Sequence, residues 1–182
     1  MSGIGLWRRI FRLLRRICDT PVLPNVSGPI CGQHYYGGWA LGRADLLRAG
    51  CEVVAVYNAL LLAGRGVPLH AIASDFAHRG YLMRRGHWGA DPFAIGEYLR
   101  CRAITSAGEL PQDDGVYILS YWNSRHIFNG LHTVTYVRSK GQTTVYNLHG
   151  NDRGPRPITE AIPLPEKARF IVGYAVEREQ EN

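Results

Sequence analysis

Residues 49–66, AGCEVVAVYNALLLAGRG, carry a segment that is apolar on almost every side. Val53, Val54, Tyr57, Leu60 and Leu61 recur at the spacing of one helical face, while Ala55, Val56, Ala59, Leu62 and Ala63 fill most of the rest. Gly50 suits the N-cap, and Gly64 or Gly66 the stop. A helix of this kind has no face to offer water, so the chain must wrap around it. It is also shorter than the roughly 18 to 20 apolar residues a spanning helix needs, and no other run reaches that length. At 182 residues the chain suits one such core.

The wrapping elements follow in order. VPLHAIASDFAHRG reads as a helix with Pro68 in its first turn, and DPFAIGEYLRCR as one capped by Asp91 and opened by Pro92. After about residue 104 the period changes from helical to alternating. Strands are predicted at ITSA, GVYILSYWN, LHTVTYVRS, TTVYNLHG and ARFIVGYAV. Helices first and strands afterwards imply an α+β fold, with the buried helix packed on a C-terminal antiparallel sheet. The prolines and glycines of residues 19–40 mark an extended loop, ahead of a single domain over 41–182.

The formal charge of +6 is unevenly spread. Arg8, Arg9, Arg12, Arg15 and Arg16 all precede the first acid, and without them the body carries only about +1. A nucleic-acid partner is therefore not expected. Residues 1–18 read as a basic amphipathic helix, with Trp7, Ile10, Phe11, Leu14 and Ile17 on one face. Two readings stay open for residues 4–17: a helix docked on its own domain, or peripheral contact with an anionic membrane. Charge breaks the apolar stretch too often for a signal-peptide core, so the expected location is cytoplasmic, free or at a membrane surface. The four cysteines, Cys18, Cys31, Cys51 and Cys101, lie far apart. That spacing argues against a disulfide scaffold and a zinc ribbon. The seven histidines show no metal-ligand spacing, and no metal or cofactor is expected.

Cys51 opens the buried helix, where unpaired N–H groups and the helix dipole favour a thiolate. Glu52 opposes this if its carboxylate turns inward. A nucleophile needs a base, and the ribbon LHTVTYVRSKGQTTVYNLHG can supply one. A two-residue turn at Lys140-Gly141 opposes residues whose numbers sum to 281, setting Val134 against Asn147 and His132 against His149. His132 and Asn147 then share a face as diagonal neighbours, and the Asn147 amide oxygen can accept from the imidazole.

AGCEVVAVYNALLLAG, followed by GLHTVTYV and VYNLHG, resembles the papain-like cysteine peptidases, and more narrowly the bacterial peptidases that process bacteriocins after a double glycine. The resemblance implies Cys51 as nucleophile, His132 as general base and acid, and Asn147 as the residue orienting the imidazole. It further implies a peptide or protein substrate cleaved through an acyl-thioester. In that family a glutamine about six residues before the nucleophile donates to the oxyanion; here Asp45 stands there, between Arg43 and Arg48. The substitute donors are Gln33, Arg48 or the Cys51 backbone N–H. The alternative is a non-catalytic papain-like module that binds a peptide or partner in its groove. Smaller features include the Gly37-Gly38 pair, read as a turn, and Trp122 and Asn123 at a strand end. His78, Arg84, Arg85, His87 and Trp88 form a basic aromatic stretch that can border a cleft or hold a phosphate.

Overall fold

A computed structural model describes residues 3–18, 23, 25–123, 130–149 and 151–178. Two short strands, β1 (Ala40–Leu41) and β2 (Ala44–Asp45), lead into a single helical turn, α2 (Leu46–Ala49). The Asp45 side chain accepts the Arg48 backbone N–H at 3.0 Å and so caps this turn. The central helix α3 follows at once, over Cys51–Leu62, with Gly50 as its N-cap and every residue from Cys51 to Leu60 buried. A Cβ on Gly50 would lie 2.4 Å from the Leu46 side chain, so the junction requires glycine. The stop lies at Gly64. The Gly64 N–H donates to the Leu61 carbonyl at 3.2 Å and the Arg65 N–H to the Leu60 carbonyl at 2.8 Å, the paired bonds of a Schellman ending.

Three further helices surround α3: α1 (Gly3–Leu14), α4 (Leu69–His78) and α5 (Ala94–Leu99). Pro68 is the N-cap of α4, one residue outside the helix it was expected to open. The helix expected from Asp91-Pro92 starts later, at Ala94. One Asp91 oxygen accepts the Phe93 N–H at 2.8 Å, closing a turn, and the other takes an ion pair from Arg15 at 2.7 Å.

The sheet is antiparallel, in the order β6-β5-β4-β3-β7. Its strands are β3 (Gly115–Trp122), β4 (Leu131–Ser139), β5 (Gln142–Tyr146), β6 (Arg156–Ile158) and β7 (Arg169–Val176). One face carries Val116, Ile118, Trp122, Val172 and Tyr174 onto the helical core. The other gathers Tyr117, Leu119, Tyr121, Val134, Tyr136 and Val145 into a second cluster with Leu110. The Thr135 hydroxyl donates to the Ala55 carbonyl at 2.7 Å, which fixes α3 on the sheet. The chain is thus α+β, as its pattern predicts. No helix among the described residues is long and apolar enough to cross a membrane.

The β4–β5 register has the predicted sum, from Thr135 against Tyr146 to Ser139 against Gln142. Both turn residues, Lys140 and Gly141, have positive φ (52° and 78°), the hairpin geometry that matches strand twist. Pairing then ends early, because Asn147 turns left-handed at φ 61°. The expected Val134–Asn147 and His132–His149 pairs therefore do not form. β4 residues 131–134 pair with β3 alone. The ITSA segment contributes one bridge, Ile104 with Gly173, before the chain coils into a 3₁₀ turn at Ala107–Glu109. β6 was masked in the sequence by Pro157, which an edge strand tolerates. The 19–40 loop is not wholly extended: Gln33–Tyr36 form a 3₁₀ turn, and β1 begins at Ala40. Residues 19–22 and 24 lie outside the described residues.

α1 docks on the domain through Ile4, Trp7, Phe11 and Leu14. Trp7 meets Trp122 with ring centroids 5.6 Å apart, and Arg15 latches the end of the helix to Asp91 and Glu97. Ile10 and Ile17, expected on this face, are exposed, because the docked stripe is narrow and the helix stops at Leu14. Nearby, the β1–β2 turn abuts residues 84–86. The Arg43 N–H donates to the Arg85 carbonyl at 2.8 Å. A Cβ on Gly42 would lie 2.2 Å from the Arg85 oxygen, and one on Gly86 would lie 2.1 Å from the Leu41 oxygen. Arg84 and Arg85 are both left-handed, a strain of about 1 to 3 kcal/mol each that this backbone contact holds in place.

Candidate active site

Cys51 is the first residue of α3, and its buried thiol opens onto a cavity of about 690 Å³. The kink at Gly50 aims this end of the helix at the stretch of β4 that β5 leaves uncovered. There the Thr133 backbone touches the thiol, one residue along the strand from His132. Burial first, then the adjacent Glu52 carboxylate, push the thiol well above its ordinary range, and the contact with Thr133 only partly opposes them. Glu52 does turn inward, at 1% exposure. Its Oε2 accepts the Ala90 N–H at 3.2 Å and its Oε1 has no hydrogen-bond partner. Burial raises this carboxyl to about 7.

His132 is half-buried on β4, directly opposite Tyr121, and the two rings meet edge to face at 5.8 Å. The ring stands on the sheet face away from α3, whereas the walls of the cavity are on the α3 side. Its Nε2 lies 2.7 Å from the Asn147 backbone carbonyl. A carbonyl only accepts, so Nε2 carries the hydrogen and Nδ1 keeps its lone pair. Burial pushes the imidazole below its ordinary value, more than the Asn147 and Leu148 carbonyls raise it, so the ring is neutral at pH 7. No hydrogen bond joins thiol and ring among the described residues. Thiol and imidazole are both neutral at rest and stand toward opposite faces of the sheet.

Asn147 orients the imidazole, but through its backbone. The left-handed turn brings its carbonyl to His132, while its side chain bonds Gln33: Nδ2 donates to Gln33 Oε1 at 2.8 Å and Oδ1 accepts the Gln33 N–H at 3.0 Å. The expected bond from the ring to the amide oxygen is therefore corrected to one with the main chain. Gln33 is corrected too. Its Nε2 donates to the Leu47 carbonyl at 2.8 Å, so it is spent as a clamp between the 33–36 turn and the ribbon and is not an oxyanion donor. Replacing Gln33 with alanine keeps the backbone bond to Asn147 Oδ1 but leaves the buried Nδ2 without its acceptor, and is expected to cost about 2 kcal/mol in urea unfolding. Asp45 caps α2 and has no part in the site.

Arg48 lies at the rim of the cavity, beside Cys51. Trp7 and Phe11 of α1 form one wall, and His87, Trp88 and Trp122 form others, so the strand-end tryptophan and two residues of the basic aromatic stretch border the cavity, whereas His78, Arg84 and Arg85 do not. The role of α1 as a wall was not legible in the sequence, since amphipathicity shows that a helix docks but not where. Gly37-Gly38 is a turn. No cluster of side chains suited to a metal occurs among the described residues. No protein-family model matches the chain, and neither the curated proteins nor the solved structures contain a match to it.

Proposed function

We propose that the chain is a papain-like cysteine hydrolase that acts on a peptide or protein by acyl transfer. The observation that carries this reading is the placement of Cys51 at the head of α3, next to Thr133 and one residue along β4 from His132, whose Nδ1 is bare; the ring rests on the far face of the sheet and has to turn to the α3 side to meet the thiol. With the ring turned to the α3 side, His132 Nδ1 takes the thiol proton as sulfur bonds to the substrate carbonyl carbon. The oxyanion faces the N–H groups of the first turn of α3, with Arg48 at the rim. The imidazolium returns its proton to the leaving amine, which departs and leaves a thioester on Cys51. Water then attacks, giving a proton to His132, and the acid leaves as the thiol recovers its proton.

Because the resting thiol is protonated, the test uses an acyl donor rather than simple alkylation. p-Nitrophenyl esters are expected to release a burst of about one equivalent of nitrophenolate and leave the acyl group on the Cys51 peptide, seen by mass spectrometry. Cys51→Ala removes the burst, and His132→Ala slows it by about 100- to 10,000-fold. Acylation spread evenly over Cys18, Cys31, Cys51 and Cys101, or undiminished in His132→Ala, rejects the hydrolase. That result favours the second reading, a non-catalytic groove that binds a peptide. Its supporting observation is that burial, and after it Glu52, holds the thiol protonated and Gln33 offers the oxyanion nothing.

A further inference from the structure

Among the described residues, four of the exposed large apolar side chains belong to the N-terminal segment: Leu6 (53%), Ile10 (36%), Leu13 (74%) and Ile17 (70%). Leu6, Ile10 and Leu13 follow helical spacing on the flank of α1 beside its docked stripe, and Ile17 extends the ridge past the helix end. Arg9, three residues from Leu6 and four from Leu13, borders this ridge. Arg16 folds back on it, its Nη1 donating to the Leu13 carbonyl at 2.9 Å.

At the end of α1, Arg16, Arg43, Arg84 and Arg85 line a recess of about 400 Å³ together with Leu14. The recess is built: Gly42 and Gly86 allow the backbone contact that sets Arg43 against Arg85, and among the described residues no acid lines it. Among the described residues the ion pairs of this region are made by Arg12 and Arg15 with Glu97 and Asp91 and leave these four guanidinium groups out; Arg84 stacks on the Trp88 ring, 4.6 Å from its centroid.

We propose that this face docks on an anionic lipid bilayer. The ridge of Leu6, Ile10, Leu13 and Ile17 enters the acyl boundary, and Arg9, Arg16, Arg43, Arg84 and Arg85 bind lipid phosphates. A nucleic acid would use the arginines and leave the ridge in water. A second copy meeting this face across a two-fold axis would set like charges against each other. A bilayer surface satisfies both features at once, and the inference does not depend on hydrolysis.

The test is sedimentation of the full chain with large vesicles of phosphatidylcholine, alone or mixed one to one with phosphatidylglycerol. Binding to the mixed vesicles is expected, with little to phosphatidylcholine alone and a marked fall in about 0.5 M NaCl. Leu6→Ser with Leu13→Ser, and separately Arg43→Gln with Arg84→Gln, are each expected to weaken partitioning by about tenfold or more. Arg9→Gln with Arg16→Gln, which leaves the residues 84–86 turn untouched, guards against local misfolding, and thermal melts should stay near wild type. Equal binding to both vesicles, or none, overturns the proposal. So does binding that resists the leucine changes but is abolished by inorganic phosphate, which marks a free-anion site. A dimer in analytical ultracentrifugation that Leu6→Ser with Leu13→Ser dissolves assigns the face to self-association instead.

Discussion

Glu52→Gln is expected to raise the unfolding free energy by about 3 kcal/mol at pH 8 while changing it little at pH 4. The folded carboxyl titrates near 7, against an ordinary value of 4.5, so the native state holds its proton more tightly than the unfolded chain. Its contribution is fully present below the ordinary value and is lost as pH rises through the folded one. Above pH 7 the protein carries a buried carboxylate charge, bonded at Oε2 alone, that glutamine does not. The same change removes the second-largest cause of the raised thiol, so iodoacetamide should alkylate Cys51 faster in the variant at pH 8. Urea titrations at the two pH values provide the measurement. Parallel pH profiles for variant and wild type would show that Glu52 is not the titrating group.

Arg15→Ala is expected to cost about 3 to 5 kcal/mol and to free α1 from the domain. Asp91 is fully buried, while Arg15 keeps 14% of its side chain exposed and reaches both Asp91 at 2.7 Å and Glu97 at 2.9 Å. Burial raises the Asp91 carboxyl above its ordinary range, and Arg15, with help from the Phe93 N–H, restrains the rise. Without it the carboxylate is stranded, and the deficit should shrink in acid, where Asp91 can take a proton. Asp91→Asn added to Arg15→Ala should recover part of the loss. Equilibrium unfolding reports the energy, and tryptophan fluorescence reports the exposure of Trp7 and Trp122. A loss below about 1 kcal/mol, the ordinary worth of a surface pair, would mean that the latch does not hold the helix.

The core helix was readable because its apolar residues leave no alternative placement, and the β4–β5 register because Lys140-Gly141 admits one hairpin turn. Cys51 at the head of α3 followed from Gly50. What sequence could not give was set by long-range or conformational choices. Asn147 reads as the end of a strand, and only its left-handed backbone exchanges the roles of its amide and its carbonyl. Gln33 reads as a free donor, yet its three hydrogen bonds go to residues of a different turn and of the ribbon. Asp45 looks like a misplaced oxyanion donor until α2 appears, a turn too short to leave a periodic signal. Glu52 was ambiguous for a related reason. An acid in the first turn of a helix ordinarily faces water, and only the packing of Gly89 and Ala90 against it shows that this one does not.

The position of β7 bears on how the chain is made. This last strand seats itself against β3, and Ile171, Val172 and Tyr174 complete the shell around α3. During synthesis the greasy helix therefore leaves the ribosome long before its covering strand does, and the finished arrangement has to wait until Val176 has been added, more than 100 residues after the helix. A nascent chain stalled in the region before Arg169 would display that helix half-dressed, as a target for chaperones and proteases rather than a smaller working protein.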